Sequence, residues 1–134
     1  MQVLVNIDVP DLDRALAFYR EAFGLSVRRR FGGDGVELAG WPTPVFLLRK
    51  PTGSVGAGGQ PRAYGRHWTP VHLDVVVDDL DAALARAEAA GAVVEQPPRT
   101  GAWGRIAMLA DPFGHGLCLI QFLNRGYDEI ADPA

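Results

Sequence analysis

Strict alternation opens the chain. In Val3-Leu4-Val5-Asn6-Ile7-Asp8-Val9 the odd positions are all apolar, while Asn6 and Asp8 stand on the even side. A period of two sends successive side chains to opposite faces, so this segment predicts a strand with one apolar face and one face that carries polar groups. The same alternation returns in Val71-His72-Leu73-Asp74-Val75-Val76-Val77, with His72 and Asp74 opposite the apolar set. After each strand the period becomes helical: Leu12, Leu16, Tyr19 and Phe23 in the first case, Leu80, Leu84 and Ala87 in the second. Asp11 and Asp79 are good N-caps, Asp13 and Asp81 add negative charge where the helix dipole favours it, and Gly24 and Gly91 supply left-handed stops. The rest reads as strands broken by turns, near 26–31, 35–39 and 44–49, then near 93–96, 105–109 and 116–122.

The chain therefore repeats itself. Val9-Pro10-Asp11-Leu12-Asp13-Arg14-Ala15-Leu16-Ala17 lies over Val77-Asp78-Asp79-Leu80-Asp81-Ala82-Ala83-Leu84-Ala85 at an offset of 68, and only Pro10/Asp78 and Arg14/Ala82 differ. Each copy is β-α-β-β-β. The expected class is α+β, as one domain over residues 1–123: module one at 2–50, a Gly- and Pro-rich connector at 51–69, module two at 70–123, and a polar tail at 124–134. The connector's composition predicts flexibility, and without Gly-Lys-Ser/Thr or a strand-to-helix context it is not a phosphate cradle. The tail is expected to be a surface appendage.

Composition narrows the function classes. The 134 residues are 48% hydrophobic and carry 13 basic against 16 acidic groups, for a net charge of -3. Phosphate neutralisation needs an excess of Lys and Arg, so nucleic acid and anionic membrane surfaces are excluded as main partners. No apolar run approaches the ~18 residues of a membrane span. The first residues lack a basic stretch followed by a long apolar core, so no signal peptide is read and a cytoplasmic protein is expected. The single cysteine, Cys118, rules out an intramolecular disulfide. Lys50 is the lone Lys among otherwise Arg basic residues, a bias expected of a GC-rich bacterial genome.

The doubled βαβββ pattern, the phrase Val9-Pro10-Asp11-Leu12-Asp13-Arg14-Ala15-Leu16-Ala17-Phe18-Tyr19 and the turn Asp111-Pro112-Phe113-Gly114-His115-Gly116 resemble the vicinal oxygen chelate superfamily. That superfamily contains glyoxalase I, bleomycin-resistance proteins and extradiol dioxygenases, and the resemblance covers residues 2–123. It implies two tandem modules whose curled mixed sheets surround a concave cavity with helices outside, and a homodimer. One scaffold hosts several activities, so fold alone does not name the chemistry.

Metal-dependent members of the superfamily take one side chain from the first strand and one from the last strand of each module. Counting from the signatures, the resemblance places His72 at one such position and Cys118 at a second, while Leu4 and the segment Val45-Phe46-Leu47-Leu48 hold no donor. A catalytic metal is therefore not expected. The alternative is one divalent ion per cavity, held by His72 and Cys118. The reading that follows is a protein of the bleomycin-resistance kind, binding a small aromatic molecule, an antibiotic or a metabolite. Asn6, Asp8, Trp41, Phe46, Trp68, His72, Asp74, Trp103 and Cys118 are the candidate ligand-binding residues. Tyr64, Arg66, His67 and Trp68 form the cluster of greatest interest, since Arg and His can meet an anionic group while Trp stacks. An enzyme, a lyase, isomerase or dioxygenase, is the alternative, with His72 and Asp74 catalytic. A non-catalytic accessory protein is the third. His115 reads as a turn residue and Arg28-Arg29-Arg30 as an exposed face of a strand.

Overall fold

A computed structural model describes residues 1–134. It divides into two compact units, Met1–Gly65 and Arg66–Ala134. In the first, β1 (Val5–Val9) leads to α1 (Leu12–Phe23), followed by β2 (Ser26–Phe31), β3 (Gly35–Ala39) and β4 (Val45–Arg49). In the second, β5 (Leu73–Val76) leads to α2 (Leu80–Ala90), then β6 (Val93–Thr100), β7 (Gly104–Ala110) and β8 (Gly116–Phe122). The expected α+β class and the βαβββ order of both copies are observed.

Both sheets share one topology. Their orders are β1-β4-β3-β2 and β5-β8-β7-β6, with the first and last strands of each unit parallel and the others antiparallel. Registers agree as well: Asn6 faces Phe46 across β1 and β4, and Asp74 faces Cys118 across β5 and β8. Asp74 lies 68 residues after Asn6, so the sequence repeat is a repeat of register.

Each helix covers one face of its own sheet, α1 against β3 and β4, α2 against β6, β7 and β8. In unit one the core is Ile7, Val9, Leu16, Phe18, Tyr19, Val36, Leu38, Val45 and Leu47. Alternation delivers the strand residues among these to the side that α1 covers, where full burial of an aliphatic or aromatic side chain is worth ~1.5–3 kcal/mol. Asp11 and Asp79 cap the helices, their carboxylates accepting from Arg14 N and Ala82 N at 3.0 Å. Gly24 and Gly91 end them at φ 67° and 114°.

Two features depart from expectation. Strand β6 runs on to Thr100 through Pro97 and Pro98, with register shifts flanking Gln96. Proline is tolerated there because β6 is an edge strand, where a missing N–H interrupts the ladder least. The connector is folded on itself: Gly53 N donates to Arg62 O and Arg62 N to Ser54 O, and the Arg62 guanidinium reaches Asp8 at 2.7 Å. The tail lies on the surface with no buried residue, and Tyr127 in the turn Gly126–Glu129 stands 5.2 Å from Trp103 and 4.9 Å from Phe122 between ring centres.

Candidate functional site

The polar face of unit two holds a cavity of about 190 Å³. Leu109 and Leu117 supply apolar wall, Met108 and Cys118 sit beside each other across β7 and β8, and Trp68, Arg66 and Glu95 frame the opening with His72. Trp68 is 81% exposed and is the most exposed aromatic ring in the chain. Arg66 is held in place: its Nε meets both oxygens of Glu95 at 2.9 and 2.8 Å, and Nη1 donates to the His67 carbonyl at 2.7 Å. Its guanidinium lies close over Gly116, where a side-chain carbon would come within 2.8 Å of Nη2.

Beside this cavity three donors of different elements meet. One ligand atom from each of His72, Asp74 and Cys118 lies within 4.8 Å of the others. His72 Nε2 is 3.1 Å from Asp74 Oδ1, and Asp74 pairs with Cys118 in the β5–β8 register. Cys118 is buried, whereas His72 and Asp74 are exposed. Burial first, then the negative charge of Asp74 and a hydrogen bond to it, push the Cys118 thiol up to about 11. A thiol that keeps its proton at neutral pH is a poor nucleophile. The nitrogen, oxygen and sulfur set fits a divalent cation of the zinc class, which accepts all three donor types and often uses three protein ligands with one position open.

In unit one the same places are filled differently. Asn6 is exposed, Phe46 is half-buried, and Asp8 is paired with Arg62 at 2.7 Å. Tyr64 donates to the Lys50 carbonyl at 2.7 Å, and burial and the charge of Asp8 raise its phenol. Trp41 packs edge-on against Phe23, 5.4 Å between ring centres. Among the residues named from sequence, then, the structure gathers Trp68, His72, Asp74 and Cys118, with Arg66 and His67 alongside. Trp41 and Trp103 rest on other rings of their own units.

Several participants escaped the sequence reading. Glu95, Met108 and Gly116 sit on predicted strands, but their position at the cavity depends on pairing between strands that are distant in sequence. Glu37 is another. Its side chain is 1% exposed, bonded to Arg29 and 3.5 Å from Arg28 Nη1. The hydrogen bond from Arg29 holds the Glu37 carboxyl below its usual value against the opposing effect of burial. Two of the three arginines of the basic run thus serve a buried carboxylate. His115 is a turn residue as expected: Asp111 accepts from Phe113 N and His115 N at 2.9 Å and lies 2.6 Å from His115 Nδ1.

Comparison with known proteins agrees with this architecture. TioX from Micromonospora sp. ML1 superposes with a TM-score of 0.70 at 25% identity, over 92% of this chain and 99% of that one. The fold and its paired modules define the glyoxalase/bleomycin-resistance/dioxygenase class, and within it the chain belongs to the glyoxalase-like domain family, whose pattern matches residues 4–120. Among sequence relatives, CFP32 of Mycobacterium tuberculosis, provisionally named a glyoxylase, is 36% identical over 110 residues, 80% of this chain and 38% of that protein. The anthracycline biosynthesis protein DauV of Streptomyces sp. strain C5 is 33% identical over 133 residues, 97% of this chain and 44% of that protein. The chain spans less than half the length of these two relatives.

Proposed function

We propose that the protein, as a homodimer, binds one end of a flat aromatic small molecule in the unit-two cavity and holds it without turnover. The observation that carries this reading is Trp68, 81% exposed at the mouth of a cavity whose wall is Met108, Leu109 and Leu117. An exposed indole beside apolar wall offers stacking area to a planar ring, and the fixed guanidinium of Arg66 offers a donor to an oxygen on its edge. Drug-sized pockets run to ~300–1,000 Å³, so about 190 Å³ suits part of a larger molecule, the remainder lying over Trp68. The name of DauV supports the class, since an anthracycline is a fused and largely planar ring system.

Stacking and hydrogen bonding require no catalytic metal. Where a cation is bound, His72, Asp74 and Cys118 would hold it, and it would supply a Lewis-acid contact for an oxygen of the ligand. The chain's own groups do the rest: Arg66 orients, Glu95 fixes Arg66, and the apolar wall excludes water.

The test is quenching of tryptophan fluorescence by an anthracycline and by smaller hydroxyquinones, with the compound recovered afterwards. Saturation at one ligand per chain, unchanged compound, and roughly ten-fold weaker binding in Trp68→Ala, equal to about 1.4 kcal/mol, are the expected results. Chemically altered compound would instead favour the second reading, an enzyme. That reading is supported by the 3.1 Å approach of His72 to Asp74, an arrangement suited to a general base, and predicts loss of turnover in His72→Ala.

A further inference from the structure

Resting on the ligand-binding reading above, we infer that the unit-two cavity selects its planar ligand by a neutral carbonyl oxygen and turns anions away, and that Gly116 sets this preference by making room for the Arg66 guanidinium.

Charge decides the kind of oxygen. In the sequence Arg66 reads as a partner for an anionic group. In the structure that anion is Glu95 of the chain itself, with its two oxygens 2.9 and 2.8 Å from Arg66 Nε. Nη1 is taken by the His67 carbonyl at 2.7 Å, and Nη2 has no acceptor within the protein. Asp74, 3.1 Å from His72 Nε2, adds a second carboxylate beside the cavity. Beyond the effect of burial, the negative charges of Asp74 and Glu95 both push the Cys118 thiol up, so their field reaches the cavity lining. One guanidinium thus stands against two carboxylates. A ligand carboxylate meets net repulsion there, whereas a neutral carbonyl accepts the Nη2 N–H and brings no charge with it.

Gly116 explains why Arg66 can stand where it does. It opens β8 with a backbone outside the left-handed region, so conformational freedom is not what calls for glycine. Close approach is. A side-chain carbon on Gly116 would lie 2.8 Å from Arg66 Nη2, 3.0 Å from Cζ and 3.2 Å from Nη1. These nearest neighbours are all the far end of one flexible side chain, so a single methyl group displaces the guanidinium and spares the sheet. Val5–Val45 and Leu73–Leu117 are equivalent pairs, which makes Pro44 the unit-one counterpart of Gly116. Unit one carries a ring where unit two leaves space. Glu95 on β6 holds Nε, Gly116 on β8 admits the rest of the group, and Gly116 is therefore a positioning residue that acts through Arg66.

Three bicycles of similar size form the test: chromone with a neutral carbonyl, naphthalene with no oxygen, and 2-naphthoate with a carboxylate. Their dissociation constants are read by ligand-detected NMR on the full chain. Chromone is expected to bind roughly ten-fold more tightly than naphthalene, the scale of a hydrogen bond to a charged group, and 2-naphthoate more weakly than chromone. Glu95→Gln should narrow the gap between 2-naphthoate and chromone. Gly116→Ala and Arg66→Ala should each remove the preference for chromone over naphthalene, and the double variant should lose no more than either alone. A mere change of cavity shape at Gly116 would instead add to the loss of Arg66. Thermal unfolding checks each variant, and a Gly116→Ala chain that fails to fold overturns the role given to Gly116, since the glycine would then serve the sheet. Equal binding of the three bicycles, tighter binding of 2-naphthoate than of chromone, or a chromone preference that survives Gly116→Ala overturns this inference alone. Failure of all three to bind overturns the ligand-binding reading with it.

Discussion

Glu37 shows how a single side chain can couple the fold to pH. It lies in a row across the first sheet, Asn6–Phe46–Glu37–Arg29, where the second sheet has Asp74–Cys118–Met108–Gln96. A carboxylate thus stands in unit one where a thioether stands in unit two. Because Arg29 holds its folded-state value below the usual 4.5, Glu37 stabilises the fold at neutral pH, and that contribution disappears as pH falls through the lowered value. Glu37→Gln is expected to be less stable at neutral pH, and its denaturant midpoint should vary less with pH below about 4.5 than the wild type's does. Sequence could not have flagged this residue. In sequence Arg28-Arg29-Arg30 reads as an exposed face, and only the β2–β3 register puts Glu37 beside Arg29.

At the scale of elements the chain was nearly transparent. Both helices, their Asp caps and Gly stops, and the β-α-β-β-β order were legible because period and capping are local signals. What local signals cannot supply is pairing. The edge position of β6 lets it continue through Pro97-Pro98, and the approach of β7 to β8 gives Gly104 its role. A side-chain carbon on Gly104 would stand 2.5 Å from the Gln121 carbonyl oxygen, which is ladder backbone and cannot move aside. Gly104→Ala should therefore cost about 1–3 kcal/mol, the usual range for overpacking, read as a lowered urea midpoint at constant slope. Since β8 carries Cys118, the same change should disturb the cluster more than an equally costly substitution in unit one would.

For the whole molecule, the repeat is the organising fact. It made the family legible, and it also exposes matching apolar residues ahead of the first strand of each copy: Val3 at 70% and Val71 at 75%. Scattered exposed apolar side chains need no explanation, but the same position left bare in both copies fits the homodimer proposed above. Multi-angle light scattering is expected to return twice the 14.4 kDa chain mass, and charged substitutions at Val3 and Val71 should shift it toward one chain. Ligand identity was not legible, because it depends on groups such as Glu95 and Met108 that only folding assembles. One edge strand of each sheet, β6 in the second and β2 in the first, carries a further consequence. On β6 Pro97 and Pro98 remove two of the N–H groups that another strand could grasp, a barrier of covalent geometry that no solvent alters. On β2 every residue is exposed, and the barrier is electrostatic, in the charge of Arg30 and in those of Arg28 and Arg29, which Glu37 partly offsets. Screening shrinks from ~10 Å at 0.1 M salt to ~3 Å at 1 M, so concentrated brine disarms one edge and leaves the other guarded. High salt should therefore favour strand pairing at the β2 edge over pairing at the β6 edge.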